Sequence, residues 1–165
     1  MLTTRRSFLI QSAVATVGLT QISAKANEPA PPKPAPTDKQ LKNQVGITTS
    51  SLSGHLVAKP AQDKFTLLEL PRLMRDELDM QVIDLNTSSL ASTDPLYLEK
   101  VRAAADDAGC LLTNLKMNQR GLDMNSTNVA VRNKALTAYK RSIDAASALG
   151  LRWARPLPLK DRPDM

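Results

Sequence analysis

Polar residues gather at the ends of three short apolar runs. Asp84 and Asn86 close QVIDLN, Asn114, Lys116 and Asn118 close CLLTNLKMN, and Arg155 follows Trp153 and Ala154. Each alternates with apolar neighbours, as expected when every second side chain of a strand faces an open mouth. Together they offer carboxylate, amide, ammonium and guanidinium groups to a polar small molecule; the plainer alternative is that they are ordinary loop starts. His55, the only histidine, comes just after another strand-like run, QVGITTSS. There it could contact a substrate or donate a proton, or it is simply a surface loop residue. One histidine cannot assemble a zinc site. The acidic pairs Asp76-Glu77 and Asp106-Asp107 fall in or near helical segments, where carboxylates are generally solvated. No metal ligand is therefore assigned, and no catalytic residue.

Other chemistries lose support. Cys110 is the only cysteine, so it cannot form an intramolecular disulfide, and its neighbours supply neither a base nor a positive charge to activate it. A small buried core residue is expected. No G-x-S-x-G, H-E-x-x-H, Walker or C-x-x-C pattern occurs, which disfavours the common hydrolase, protease, nucleotide and redox classes. Aromatic residues are 3% of the chain, and beyond the N-terminus only Phe65, Tyr97, Tyr139 and Trp153 remain, too few to stack a nucleic-acid strand. The net charge of +6 points the same way once its source is traced. Arg5, Arg6 and Lys25 lie in an acid-free start; without them 19 of the 22 basic residues face 16 acids, leaving +3. The rest are scattered over predicted helices, so no nucleic-acid partner is expected.

The elements that must position the polar residues alternate strictly. The first strand is predicted over 44–51. A helix follows from Phe65, with Thr66 as cap, Glu69 reaching back to it, a kink at Pro71 and a resumed course to Leu78. The second strand is 81–86. Asp94 caps the next helix and Pro95 takes its first position; Leu98, Val101, Ala105 and Ala108 make its apolar stripe, and Gly109 ends it. The third strand is 110–117. A long helix over about 128–149 has its stripe at Leu136, Tyr139, Ile143 and Ala146 and closes at Gly150, after which 151–157 is the fourth strand. Four strands and three helices in this order imply an α/β fold with a parallel sheet, either an open doubly wound sheet or part of a (β/α)8 barrel. The loop after the first strand holds one glycine, Gly54, too few for a dinucleotide-binding turn.

Two segments precede this series. Residues 1–26 have a basic start, an apolar middle from Phe8 to Ile22 and a final Ala24-Lys25-Ala26, the layout of a cleaved export signal. The apolar part is short and interrupted for a bilayer-spanning helix, so no stable membrane anchor is expected after cleavage. Arg5-Arg6 before Ser7-Phe8-Leu9 resembles a twin-arginine signal, which implies export of a folded protein to the periplasm or beyond. Residues 27–43 carry five prolines and little to bury, and are expected to form an extended, disordered linker.

Four segments together resemble a known family. VGITTSSL, LLELPRLMRDELDMQVIDLN, LEKVRAAADDAGCLLTNLKMN and RNKALTAYKRSIDAASALGLRWAR are similar to the xylose isomerase-like TIM barrels, in the sugar phosphate isomerase/epimerase group, over residues 44–155. The resemblance implies that 44–165 is the N-terminal half of such a barrel. It implies a sugar as substrate, and a divalent metal (Mn, Mg or Zn) that polarises its oxygens while carboxylates move protons. The family's metal ligands come mostly from later strands, and no position here matches them. Its second strand usually carries Glu where Asp84 stands. A barrel of eight units takes roughly 250 residues, whereas 139 of the 165 follow the leader. The expectation is thus a half-barrel, weakly active or inactive, with sugar-hydroxyl contacts from the strand-end residues above. The rival reading is a non-catalytic sugar-binding or self-assembling module that forms a homodimer through open sheet edges.

Overall fold

A computed structural model describes residues 33–117 and 121–156. Residues 1–26, expected to be an export leader, and the candidate Asn118 lie outside the described residues. In chain order the elements are α1 (Asp38–Leu41), β1 (Gly46–Thr48), β2 (Leu56–Val57), β3 (Phe65–Thr66), α2 (Leu70–Leu78), β4 (Val82–Asn86), α3 (Pro95–Asp107), β5 (Leu111–Lys116), α4 (Val129–Ala148) and β6 (Trp153–Arg155). Tight 3-10 turns at Thr49–Leu52 and Thr87–Ser89 follow β1 and β4.

β1, β4, β5 and β6 form one four-stranded, wholly parallel sheet in that order, and β2 with β3 forms a separate two-stranded pair. Parallel neighbours need crossover connections, which α2, α3 and α4 supply. The fold is α/β, a partial (β/α)8 barrel. Between sheet and helices lies an aliphatic core: Ile83, Leu85 and Leu115 are completely buried against Leu70, Met74, Leu98 and Val101. Burying each such side chain contributes roughly 1.5–3 kcal/mol.

The helix ends are where local chemistry places them. Asp94 accepts a hydrogen bond from the Leu96 N–H at 2.9 Å ahead of Pro95, and Asn128 accepts from Ala130 and Val131. Gly150 has φ +67, and a Cβ there would stand 2.7 Å from the Lys33 carbonyl oxygen, so both conformation and contact require glycine.

Five expectations need correction. Phe65 and Thr66 form β3 beside β2, and the helix starts only at Leu70. Pro71 therefore sits in the first turn, where its missing N–H breaks nothing, and no kink results. On α4 the buried line runs through Ala135, Tyr139 and Ala146 to Leu149, whereas Leu136 and Ile143 are 46% and 51% exposed. Small side chains let the helix settle close to the sheet on its alanine face. The first and fourth strands are three residues each, shorter than expected.

Finally, residues 33–41 of the expected disordered linker are an ordered strap. α1 is held by a capping box between Thr37 and Gln40. Lys33 pairs with Asp106 at the end of α3, and Asp38 pairs with Arg152 just before β6. The guanidinium beside Asp38 holds its carboxyl below the usual range. The strap crosses Leu111, Leu112 and Leu149 over a cavity of about 190 Å³, giving Pro34 and Pro36 an apolar surface that composition alone does not reveal.

The Thr66–Glu69 contact was legible and has a consequence. The Thr66 N–H and hydroxyl both donate to Glu69 Oε2 at 2.8 Å, which lowers the carboxyl from its ordinary 4.5. A folded pKa below the unfolded one stabilises the protein above the unfolded value and loses that contribution as pH falls through the folded value. Urea midpoints measured between about pH 6 and pH 3 should fall less steeply for Glu69→Gln than for the native chain. Equal slopes would show the contact to be energetically silent.

Candidate functional site

The concave face of the sheet is polar because of strand parity and one irregularity. On β4, Ile83 and Leu85 point into the core, so Val82 and Asp84 point the other way. Thr48 of β1 stands directly beside Asp84 in the ladder. On β5 both Leu112 and Leu115 join the core although they are three apart, which a regular strand does not allow. A bulge resolves this. Ile83 pairs with Leu112 and Leu85 with Leu115, so Thr113 and Asn114 together oppose Asp84. The extra residue turns Asn114 onto the face that carries Asp84, as bulges near binding sites commonly do. Asn114 is in turn the ladder partner of Trp153 on β6.

Thr48, Asp84, Thr113, Asn114, Trp153 and Arg155 thus line one cavity of about 530 Å³, floored by Gly46 and Val82. Gly46 is needed there: a Cβ would lie 2.3 Å from the Val82 carbonyl oxygen. Two acceptors in the cavity wall are buried and have no hydrogen-bond partner among the described residues, Asp84 Oδ1 and Asn114 Oδ1. A buried acceptor left unpaired costs about 1–3 kcal/mol, so a pair of them facing one cavity points to a donor-bearing ligand. Trp153 is 49% exposed, with the Arg152 guanidinium 4.7 Å from its ring centroid. Since Arg152 also holds Asp38, the strap reaches to the edge of the cavity through one side chain.

The strand-end candidates separate in space. Asp84, Asn114 and Arg155 meet in the cavity. Asn86 is buried, but its groups are engaged: Nδ2 donates to Ser50 Oγ, and Oδ1 accepts from the Ser88 N–H and hydroxyl. It ties the turn after β1 to the turn after β4. Lys116 is half-buried at the end of β5 and His55 is exposed in the turn before β2; neither is among the residues that line the cavity. Thr48 and Trp153, which were not singled out, follow from parity with Asp84 and Arg155. Thr113 carried no signal, because the bulge that presents it is not written in the local sequence.

The donor set does not suit a divalent metal. Among the described residues no group of three or more His, Cys, Asp or Glu could hold one, and in the cavity the Asp84 carboxylate is accompanied by the Arg155 cation. Cys110 is buried, donates to the Pro71 carbonyl, and has its thiol pKa pushed up by burial against a smaller opposing pull from Arg75. It is a core residue. Among the described residues no helix is long and apolar enough to cross a membrane.

A parallel sheet backed by helices, with a cavity on its other face, forms a partial (β/α)8 barrel. Among solved structures the chain is similar to the crystal structure of D-psicose 3-epimerase in the presence of D-fructose, with a TM-score of 0.53 and 16% identity. The similarity covers 68% of this chain and 36% of that one, so the chain spans about a third of that enzyme's length. No protein-family model and no curated protein matches.

Proposed function

We propose that this chain binds a neutral sugar on the concave face of its sheet, as a sugar isomerase/epimerase-like half-barrel. The observation that carries this is the pair of unpartnered buried acceptors, Asp84 Oδ1 and Asn114 Oδ1, opening on one cavity. Sugar hydroxyls are donors that could satisfy both acceptors, and Trp153 offers an apolar face for the C–H surface of the ring. The Asp84 carboxylate in the cavity wall disfavours a phosphate beside it. The basic-then-apolar start of the chain supports placement outside the cytosol, where neutral sugars are the available ligands. The similar fold of a D-psicose 3-epimerase supports the same reading. Epimerisation needs groups to remove and return a proton; the cavity contributes one carboxylate, so binding without efficient turnover is the expected behaviour.

Trp153 is the only tryptophan and reports directly on the cavity. Titration with D-fructose and with D-psicose should change its emission saturably. Asp84→Ala should weaken binding by about tenfold or more, the worth of a hydrogen bond to a charged group. The same substitution should leave the thermal midpoint unchanged or raised, because it removes an unpaired buried acceptor. An unresponsive Trp153 together with a null calorimetric titration would sink the proposal. So would an Asp84→Ala protein that binds sugar normally.

A further inference from the structure

The strap of residues 33–41 and the candidate cavity meet at one short turn. Residues 149–152 join α4 to β6, and the turn is held from two sides. On the strap side, the Lys33 carbonyl packs so closely on Gly150 that a Cβ there would lie 2.7 Å from its oxygen. Asp38 pairs with Arg152, and Lys33 with Asp106 at the end of α3. On the sheet side, the Arg152 N–H donates to the Thr113 carbonyl at 2.9 Å, at the bulge that turns Asn114 toward the cavity.

β6 itself is weakly anchored. It is three residues long, all of them exposed, and among the described residues its ladder runs along β5 alone. Yet it supplies Trp153 and Arg155 to the cavity wall. The Arg152 guanidinium lies 4.7 Å from the Trp153 ring centroid, a separation at which cation and ring attract. One side chain therefore touches the strap carboxylate and the indole together. A guanidinium can do both at once, because its N–H fork points outward in the plane while its faces are free to stack.

We propose that the strap is a clamp that positions the β6 wall of the cavity, with Asp38 and Arg152 as its positioning pair. While Asp38 holds Arg152, the cation keeps the indole where it lines the cavity. When the pair breaks, Arg152 regains its rotamers and Trp153 loses the group that holds it. Strap docking and occupancy of the cavity then share one coupling free energy, so a ligand resting on Trp153 also tightens the strap. The Asp38 side chain is 89% exposed and that of Arg152 30%, and exposed pairs contribute modestly. Breaking this one should weaken ligand binding by about two- to fivefold and leave the fold intact. The choice of a sugar as that ligand rests on the preceding proposal; the clamp does not.

The test compares the native full chain with Asp38→Asn, which removes the charge and keeps the shape. Without ligand, acrylamide should quench the Trp153 emission more readily in Asp38→Asn, while circular dichroism and the thermal midpoint stay near native. Raising salt from about 0.1 M to about 1 M shortens the screening length from about 10 Å to about 3 Å. That should increase quenching of the native chain and change Asp38→Asn little. D-fructose should slow hydrogen exchange at residues 37–41 of the native chain, and should bind Asp38→Asn about two- to fivefold more weakly. Native quenching in Asp38→Asn overturns the clamp, as does an equal salt response in the two proteins. So does a sugar that binds both equally, or that binds the native chain without slowing exchange in the strap. If Trp153 responds to Asp38→Asn as described but neither D-fructose nor D-psicose binds the native chain, the sugar reading fails and the clamp stands.

Discussion

Leu85→Ala is expected to destabilise the protein by about 2–5 kcal/mol, the range for emptying a fully buried leucine site. Leu85 is 0% exposed in the middle of β4, a central strand, with core contacts to both the sheet and the helix layer. Its neighbours across the ladder, such as Leu115, are pinned by backbone hydrogen bonds and cannot collapse into the space. Domains are stable by only about 5–15 kcal/mol in total, so this one change removes a large share. Leu68→Ala, at a site 36% exposed, is the control and should cost much less. Urea unfolding followed by circular dichroism measures both. If the two losses are equal, the core described here is not what holds the fold together.

Gly46→Ala should be the most damaging change that adds a single methyl. The new Cβ would meet the Val82 carbonyl oxygen at 2.3 Å and Val82 Cβ at 2.5 Å. The carbonyl is backbone, fixed in β4 beneath the cavity, so β1 itself must move away. Overpacking of this kind costs typically 1–3 kcal/mol, and here it also displaces Thr48 from its place beside Asp84. Loss of stability and loss of sugar binding should therefore appear together. Gly54→Ala provides the contrast: nothing lies within 4 Å of its Cβ position. Removing chain freedom there should be neutral or stabilise by about 0.4–1 kcal/mol. A Gly46→Ala protein as stable as the Gly54→Ala one would contradict the close approach of β1 and β4.

How much of this was legible in the sequence depended on the range of the interaction concerned. The caps at Asp94 and Asn128, Pro95 at a helix start, and the positive-φ glycines 109 and 150 act within a few residues and were readable. So was the alternation of strand and helix, which requires crossovers and hence a parallel sheet. Asp84 and Arg155 could be picked out because strand parity is also local, whereas Asn114, singled out on the same ground, reaches their face only through the bulge. The side of α4 that would be buried was not legible, since Ala135 and Leu136 are both apolar and only the sheet decides which faces it. Neither was the engagement of Asn86, whose partner Ser50 is 36 positions away, nor the docking of the strap, where Asp38 meets Arg152 across 114 positions.

The sequence by itself determined the order of the elements, their ends and the aliphatic character of the core, because turn chemistry, capping and periodicity are settled between near neighbours. Only the tertiary structure decided that Thr113 and Asn114 bulge opposite Asp84, that two acceptors are left unpaired, and that both sheet edges stand open. Those depend on which strands lie side by side, and pairing between distant segments is fixed by the packing of the whole sheet against its helices, not by any stretch of chain alone.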